Sequence, residues 1–143
     1  MNIFRFPFLL ISLAFAVVLN GQEISKYDSL LKRLRNEKSD TARVMLNYRI
    51  SYELQFSDPD EAERYARTAL EEAERIGFRK GRGNALVQMG NISQARGKQE
   101  EAESYYRQAL EIMTEIKDPD GAAICLNNLG ITFHNRAEYR EAL

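Results

Sequence analysis

The chain is predicted to be all-α, a helical solenoid of antiparallel helix pairs with a 40-residue period, and three observations predict it. Residues 61–76 recur 40 residues later: Glu61, Ala62, Glu63, Tyr65, Arg67, Ala69, Leu70, Glu71 and Ile76 fall on Glu101, Ala102, Glu103, Tyr105, Arg107, Ala109, Leu110, Glu111 and Ile116. That is nine identities in 16 positions, where average composition gives about one by chance. The same shift carries Gly81, Leu86 and Gly90 onto Gly121, Leu126 and Gly130, and Glu101 and Ala102 onto Glu141 and Ala142, so a third copy is present and cut short. Only three prolines occur in 143 residues, at Pro7, Pro59 and Pro119, among abundant Ala, Leu, Glu, Arg and Lys, which favours helix. No sheet is expected.

Charge and cysteine content narrow the function. Net charge is −1 from 20 basic and 21 acidic side chains that are interspersed, so there is no basic field for nucleic acid or an anionic membrane. One cysteine, Cys125, and one histidine, His134, exclude an intrachain disulfide and a Cys/His metal site. No cofactor is expected.

The N-terminus reads as a targeting segment. Arg5 precedes an apolar run from Phe6 to Leu19, and Asn20 and Gly21 lead into polar Gln22 and Glu23, the layout of a secretory signal peptide cleaved near Gly21. The run is shorter than the roughly 20 residues that span a bilayer. An uncleaved anchor or a buried helix is the alternative. No cysteine lies near the cleavage point, so lipid attachment is not available there. The division expected is a signal peptide over 1–21, a leading helix over 22–38, and repeats over 39–77, 78–117 and 118–143, the last incomplete.

In the leading segment Ile24, Tyr27, Leu30, Leu31 and Leu34 are spaced three and four apart, one amphipathic face that suits a helix covering the open end of a stack. Ser39 and Asp40 start a helix to about Phe56. Asp58, Pro59, Asp60 and Glu61 start the next, through a cap, a proline in the first turn and acids at the positive end of the dipole. Its apolar face is Ala62, Tyr65, Ala66, Ala69, Leu70, Ala73 and Ile76, and Gly77 stops it. On the exposed side Glu63 with Arg67 and Glu71 with Arg75 are expected as pairs four apart. Helices from about Lys80 to Ala95 and from Gln99 to Ile116 follow, with a turn at Gly97. Asp118, Pro119 and Asp120 repeat the earlier start and open a helix to about Arg136, after which a short turn should lead to a new helix over Glu138 to Leu143.

Two helices per unit with small residues at fixed places resemble the tetratricopeptide repeat. Leu86, Met89, Gly90, Ser93, Ala102, Tyr106 and Ala109 occupy the signature positions in the second unit, and Leu126, Leu129, Gly130, Phe133 and Ala142 do so in the third. In the first, Asn47, Ile50, Ser51, Leu54, Ala62, Ala66 and Ala69 fit once one residue is deleted from the turn, with Asn47 replacing a bulky residue. The resemblance covers about Thr41 to Leu143 and implies that Ser51, Ala62, Ala69, Gly90, Ala102, Ala109, Gly130 and Ala142 are packing positions where helices approach closely. The 40-residue period exceeds the usual ~34, as in longer-helix members, and the terminal proline of the pattern is absent, with Thr114 near its place.

No nucleophile motif, phosphate loop or spaced ligand set is visible, because the glycines are isolated and follow no strand. Cys125 reads as a small buried hydrophobe and Tyr65, Tyr105 and Tyr106 as core. If the first helices line a groove, the residues facing it are Tyr48, Tyr52 and Gln55; Asn84, Val87, Asn91 and Gln94; and Ile124, Asn127, Ile131, His134 and Asn135. The set is rich in carboxamides and holds no Lys or Arg. Carboxamides can bond an extended peptide backbone whatever its side chains; the alternative is that they bond only to neighbouring helices or water. Family members that clamp a terminal carboxylate use groove lysines with asparagines. Here Asn91 matches one such asparagine, but Val87 stands in a lysine's place, which argues against a clamp.

The expected function is a non-enzymatic, exported scaffold that binds a protein or peptide, with no nucleic-acid partner. The alternative is the sensory input region of a membrane signal transducer, since an exported start, a leading helix and long-period repeats resemble the front end of bacterial sensor histidine kinases. Membrane contact would then come through the N-terminal segment or a part beyond residue 143. A free-standing enzyme has no residues to support it. Oligomeric state is left open.

Overall fold

The computed structural model describes residues 26–141, with side chains described as far as Ala137. The expected signal segment, Ile24, and the side chains of Glu138 to Leu143, Ala142 among them, lie outside the described residues. Six helices and no strand make up the described residues. They are α1 over 26–36, α2 Asp40–Leu54, α3 Pro59–Arg75, α4 Arg79–Ala95, α5 Gln99–Glu115 and α6 Pro119–Glu141. The fold of the described residues is the expected all-α helical solenoid.

The starts and stops follow local chemistry. Ser39 Oγ accepts from the Ala42 amide at 3.4 Å, and Asp58 Oδ1 accepts from Glu61 N at 3.0 Å with Pro59 in the first turn, so two orphan amides find partners. Asp118 repeats this on Gly121 N at 3.0 Å. Lys80 Nζ, 2.8 Å away, and then the Gly121 amide hold the Asp118 carboxyl below its ordinary range. Three turns share a closing bond five residues long: Phe78 N to Ala73 O, Lys98 N to Ser93 O and Asp118 N to Met113 O, each 2.9 Å. Each passes through a left-handed residue, Gly77 at φ 68°, Gly97 at 74° and Lys117 at 56°. The α2–α3 turn differs. There Asp58 N reaches Leu54 O at 2.8 Å, a bond one residue shorter, so the left-handed residue is dispensed with and Ser51 takes the place that Gly90 holds one unit on.

One expected element is not formed. Instead of turning after Arg136, α6 runs unbroken from Pro119 to Glu141. In the 40-residue register Ala137 stands where Gly97 turns the chain. A left-handed conformation costs an L-residue about 1–2 kcal/mol, and alanine is the best helix former, so the chain continues as helix. The expected Glu71–Arg75 pair is also replaced: Arg75 reaches Asp40 on α2 at 3.3 Å, while Glu63–Arg67 forms at 2.7 Å.

The helices pack in chain order, and the backbones of α2 and α4, and of α4 and α6, also come together directly. No such approach joins α3 to α5 among the described residues. A stack bends toward the layer whose members touch, so α2, α4 and α6 form the inner layer. Leu30 of α1 is buried with Leu46, Ile50 and Tyr65, closing the first unit. Alanines let the layers approach: Ala69, Ala73 and Ala85 pack on Val44, and Ala62 and Ala66 on Met89 and Ile92. The largest cluster joins Leu86, Ala102, Tyr106, Ala109, Cys125 and Leu129 of α4, α5 and α6. A recurrent ion pair ties successive units: Arg96 to Glu63 and, 40 residues on, Arg136 to Glu103 at 2.9 Å. The Arg96 guanidinium, aided by Arg67, depresses the Glu63 carboxyl.

Candidate peptide-binding groove

The inner layer carries the residues that sequence places in a groove, and the structure divides them into two sets. Gln55, Asn84, Asn91 and Gln94 are half-buried and bonded within the fold. Tyr52, Ile124, Asn127, Ile131 and His134 are exposed, with Tyr52 52% and Ile131 43% accessible. Asn135 is half-buried on α6. Tyr48 is half-buried against Val44 and Ala85, and its burial raises its phenol pKa. Val87 does not open onto the groove: it is 8% exposed and part of the core of α4, α5 and α6, because α6 packs alongside α4 and covers it.

Asn84 bonds only Met45 Sδ, at 3.8 Å, whereas Gln55, Asn91 and Gln94 belong to a hydrogen-bonded chain that links α2, α4 and α6. Asn128 Nδ2 of α6 donates to Asn91 Oδ1 of α4 at 3.2 Å. Asn91 Nδ2 donates to Gln88 Oε1 at 3.3 Å, and Gln88 Nε2 donates to Gln55 Oε1 at the end of α2, also 3.3 Å. Tyr106 of α5 points its hydroxyl into the same chain, 2.9 Å from Asn91 Oδ1 and 2.8 Å from Gln94 Oε1. Gln88 and the Tyr106 side chain are fully buried, and burial pushes the Tyr106 phenol well above its ordinary pKa. A buried carboxamide without partners would cost about 1–3 kcal/mol, so the linked amides fix how α2, α4 and α6 sit beside one another.

Sequence reasoning finds Gln55, Asn91 and Gln94 but misses Gln88, Asn128 and the hydroxyl of Tyr106. The signal was available: Gln88 and Asn128 stand 40 residues apart, and each reaches back to a carboxamide of the preceding inner helix. Phe56, 86% exposed in the α2–α3 turn, is also missed, because a helix was expected to include it. Beside it lies a hollow of about 320 Å³ lined by Gln55, Phe56, Asn91, Ile92, Gln94 and Ala95, at the small end of ligand sites.

Packing positions divide likewise. Ser51, Ala62, Ala69, Ala102 and Ala109 are fully buried. Ser51 Oγ also donates to Ala62 O at 2.7 Å. A Cβ on Gly90 would come within 2.4 Å of the Tyr106 ring. Gly130 is not a close-packed position: a Cβ there would meet nothing within 4 Å, because α6 runs on and no described helix turns back to cover it. Leu126 is for the same reason 58% exposed where Leu86 is 2%. Phe133 on that face is flanked by the guanidinium groups of Arg107 and Arg136, 5.7 and 5.3 Å from its centroid.

Chemically reactive groups are sparse. Cys125 is buried, which raises its thiol to about 11 and leaves almost no thiolate at neutral pH. Among the described residues no group of three His, Cys, Asp or Glu could hold a metal ion, and no helix is long and apolar enough to cross a membrane.

No curated protein matches the chain. Residues 81–143, which span α4 to α6, match the tetratricopeptide repeat family, whose members generally mediate protein–protein interaction and are typically non-catalytic. The match starts where the first unit, with its shortened turn and Asn47, has ended, and the second and third units are what is similar to the tetratricopeptide repeats.

Proposed function

We propose that the chain is a non-enzymatic scaffold that holds a protein or peptide segment against α2, α4 and α6, and that it works outside the cytoplasm after removal of residues 1–21. The observation that carries this reading is the inner layer itself. Exposed Tyr52, Ile124 and Ile131 share the inner layer with carboxamides held by a part-buried network, a combination of apolar contact and backbone-bonding groups that suits an extended segment. The test is selection of peptides from a displayed random library on the full chain, followed by affinity measurement with Tyr52→Ser/Ile131→Ser. Both side chains are exposed, so the variant should unfold at the same temperature and bind at least about tenfold more weakly, as loss of central contacts does. Unaltered affinity would contradict the reading. Recovery of the N-terminus at Met1 from the native host would contradict the proposed processing.

A second reading makes the same groove the input region of a membrane signal transducer of histidine kinase type, with its catalytic part beyond residue 143. The order of an apolar leader, a leading amphipathic helix and long-period repeats favours it.

A further inference from the structure

We infer that the hollow beside Phe56 receives one uncharged apolar side chain of the bound segment, and that Gln55 and Gln94 hold the main-chain carbonyls on either side of it. The inference rests on the groove reading and specifies its ligand. Gln55 and Gln94 both line the hollow, and each has its oxygen engaged inside the protein, Gln55 Oε1 by Gln88 and Gln94 Oε1 by Tyr106. Neither Nε2 has an acceptor among the described residues. The hollow is therefore lined by two side-chain amides whose nitrogens are free to donate, and what they can bond in a ligand is an acceptor. That acceptor is neutral. No Lys or Arg lines the hollow, and it opens at the C-terminal end of α4, the negative end of the helix dipole, where an anion is disfavoured. Phe56, Ile92 and Ala95 supply apolar walls to the same hollow. A peptide carbonyl, an apolar side chain and a second carbonyl meet these requirements in sequence, whereas a terminal carboxylate does not.

The smallest probe with that chemistry is N-acetyl-phenylalaninamide, which has two carbonyls around one apolar side chain. It would be titrated into the full chain while the side-chain amide and aromatic signals are followed by NMR. The expected result is movement of the Gln55 and Gln94 NH2 signals and of the Phe56 ring, weaker for N-acetyl-glycinamide and for the free acid N-acetyl-phenylalanine. Phe56→Ser should leave the unfolding temperature unchanged and weaken binding about threefold to tenfold, the range of a lost aromatic contact. Binding of the free acid as tight as the amide would overturn the neutral assignment. Shifts confined to Tyr52, Ile124 or Ile131 would overturn the hollow as the site while leaving the groove reading standing. An absence of shifts at every groove residue would overturn this inference, and the displayed-library selection would then decide the wider reading separately.

Discussion

Gly90 and Gly130 occupy the same place in the repeat register and meet opposite surroundings. Above Gly90 the ring of Tyr106 fills the space that a Cβ would take, and that ring is held by full burial and by Asn91 and Gln94. Gly90→Ala should therefore cost about 1–3 kcal/mol by overpacking. Gly130→Ala should instead stabilise by about 0.5–1 kcal/mol, the ordinary gain from replacing glycine inside a helix. Denaturant midpoints for the two variants, read at equal slope, check the contrast; equal changes would contradict it. The sequence made Gly90 legible because a small residue recurring at a fixed period is a packing signal. It did not make the environment of Gly130 legible, since both glycines carry the same signal and only the path of the following chain separates them. The carboxamide network was hidden for a related reason. Its partners lie 33 and 37 residues apart, and spacing within one helix cannot show which amides of neighbouring helices meet.

At the scale of elements, the turns decide the architecture. The bounds of α2 to α5 and the start of α6 were legible to within a residue or two, because Ser39, Asp58, Pro59, Asp118 and Pro119 are strong start signals and Gly77 and Gly97 strong stops; the end of α6 was not. The exception is instructive. Lys117 adopts φ 56° in the turn where the preceding unit uses Gly77, held there by the Asp118 N to Met113 O bond and by the cap that Asp118 makes on Gly121. Ala137 has no such arrangement in the described residues and stays helical. A side chain in the left-handed region is thus tolerated where flanking bonds enforce it. Lys117→Gly should remove the strain and raise stability by about 1 kcal/mol, measured as a higher denaturant midpoint. Unchanged or lowered stability would show that the Lys117 side chain makes compensating contacts.

For the whole molecule, the inner layer is the feature that sequence reached only in part. Periodicity and the repeat register identify which helices share a layer, and hence Tyr52, Asn91 and Ile131 as residues of one face. They do not identify which members of that face are consumed in holding the layer together. Gln55, Asn91 and Gln94 serve that purpose with their oxygens, so a ligand meets what those bonds leave over: amide donors, exposed apolar side chains and no lysine or arginine. The α6 face bearing Leu126 and Phe133 is open as well, but it is the counterpart of the α4 face that packs on α5, separate from the groove residues of α6, and the two faces give separable signals.

The most direct measurement of the central claim is therefore NMR mapping of a display-selected peptide titrated into the full chain. Shifts are expected to concentrate on Tyr52, Gln55, Asn91, Gln94 and Ile131 of the inner layer, with α3 and the solvent face of α5 unmoved. Shifts centred on α3 and α5, or on Leu126 and Phe133 alone, would contradict it.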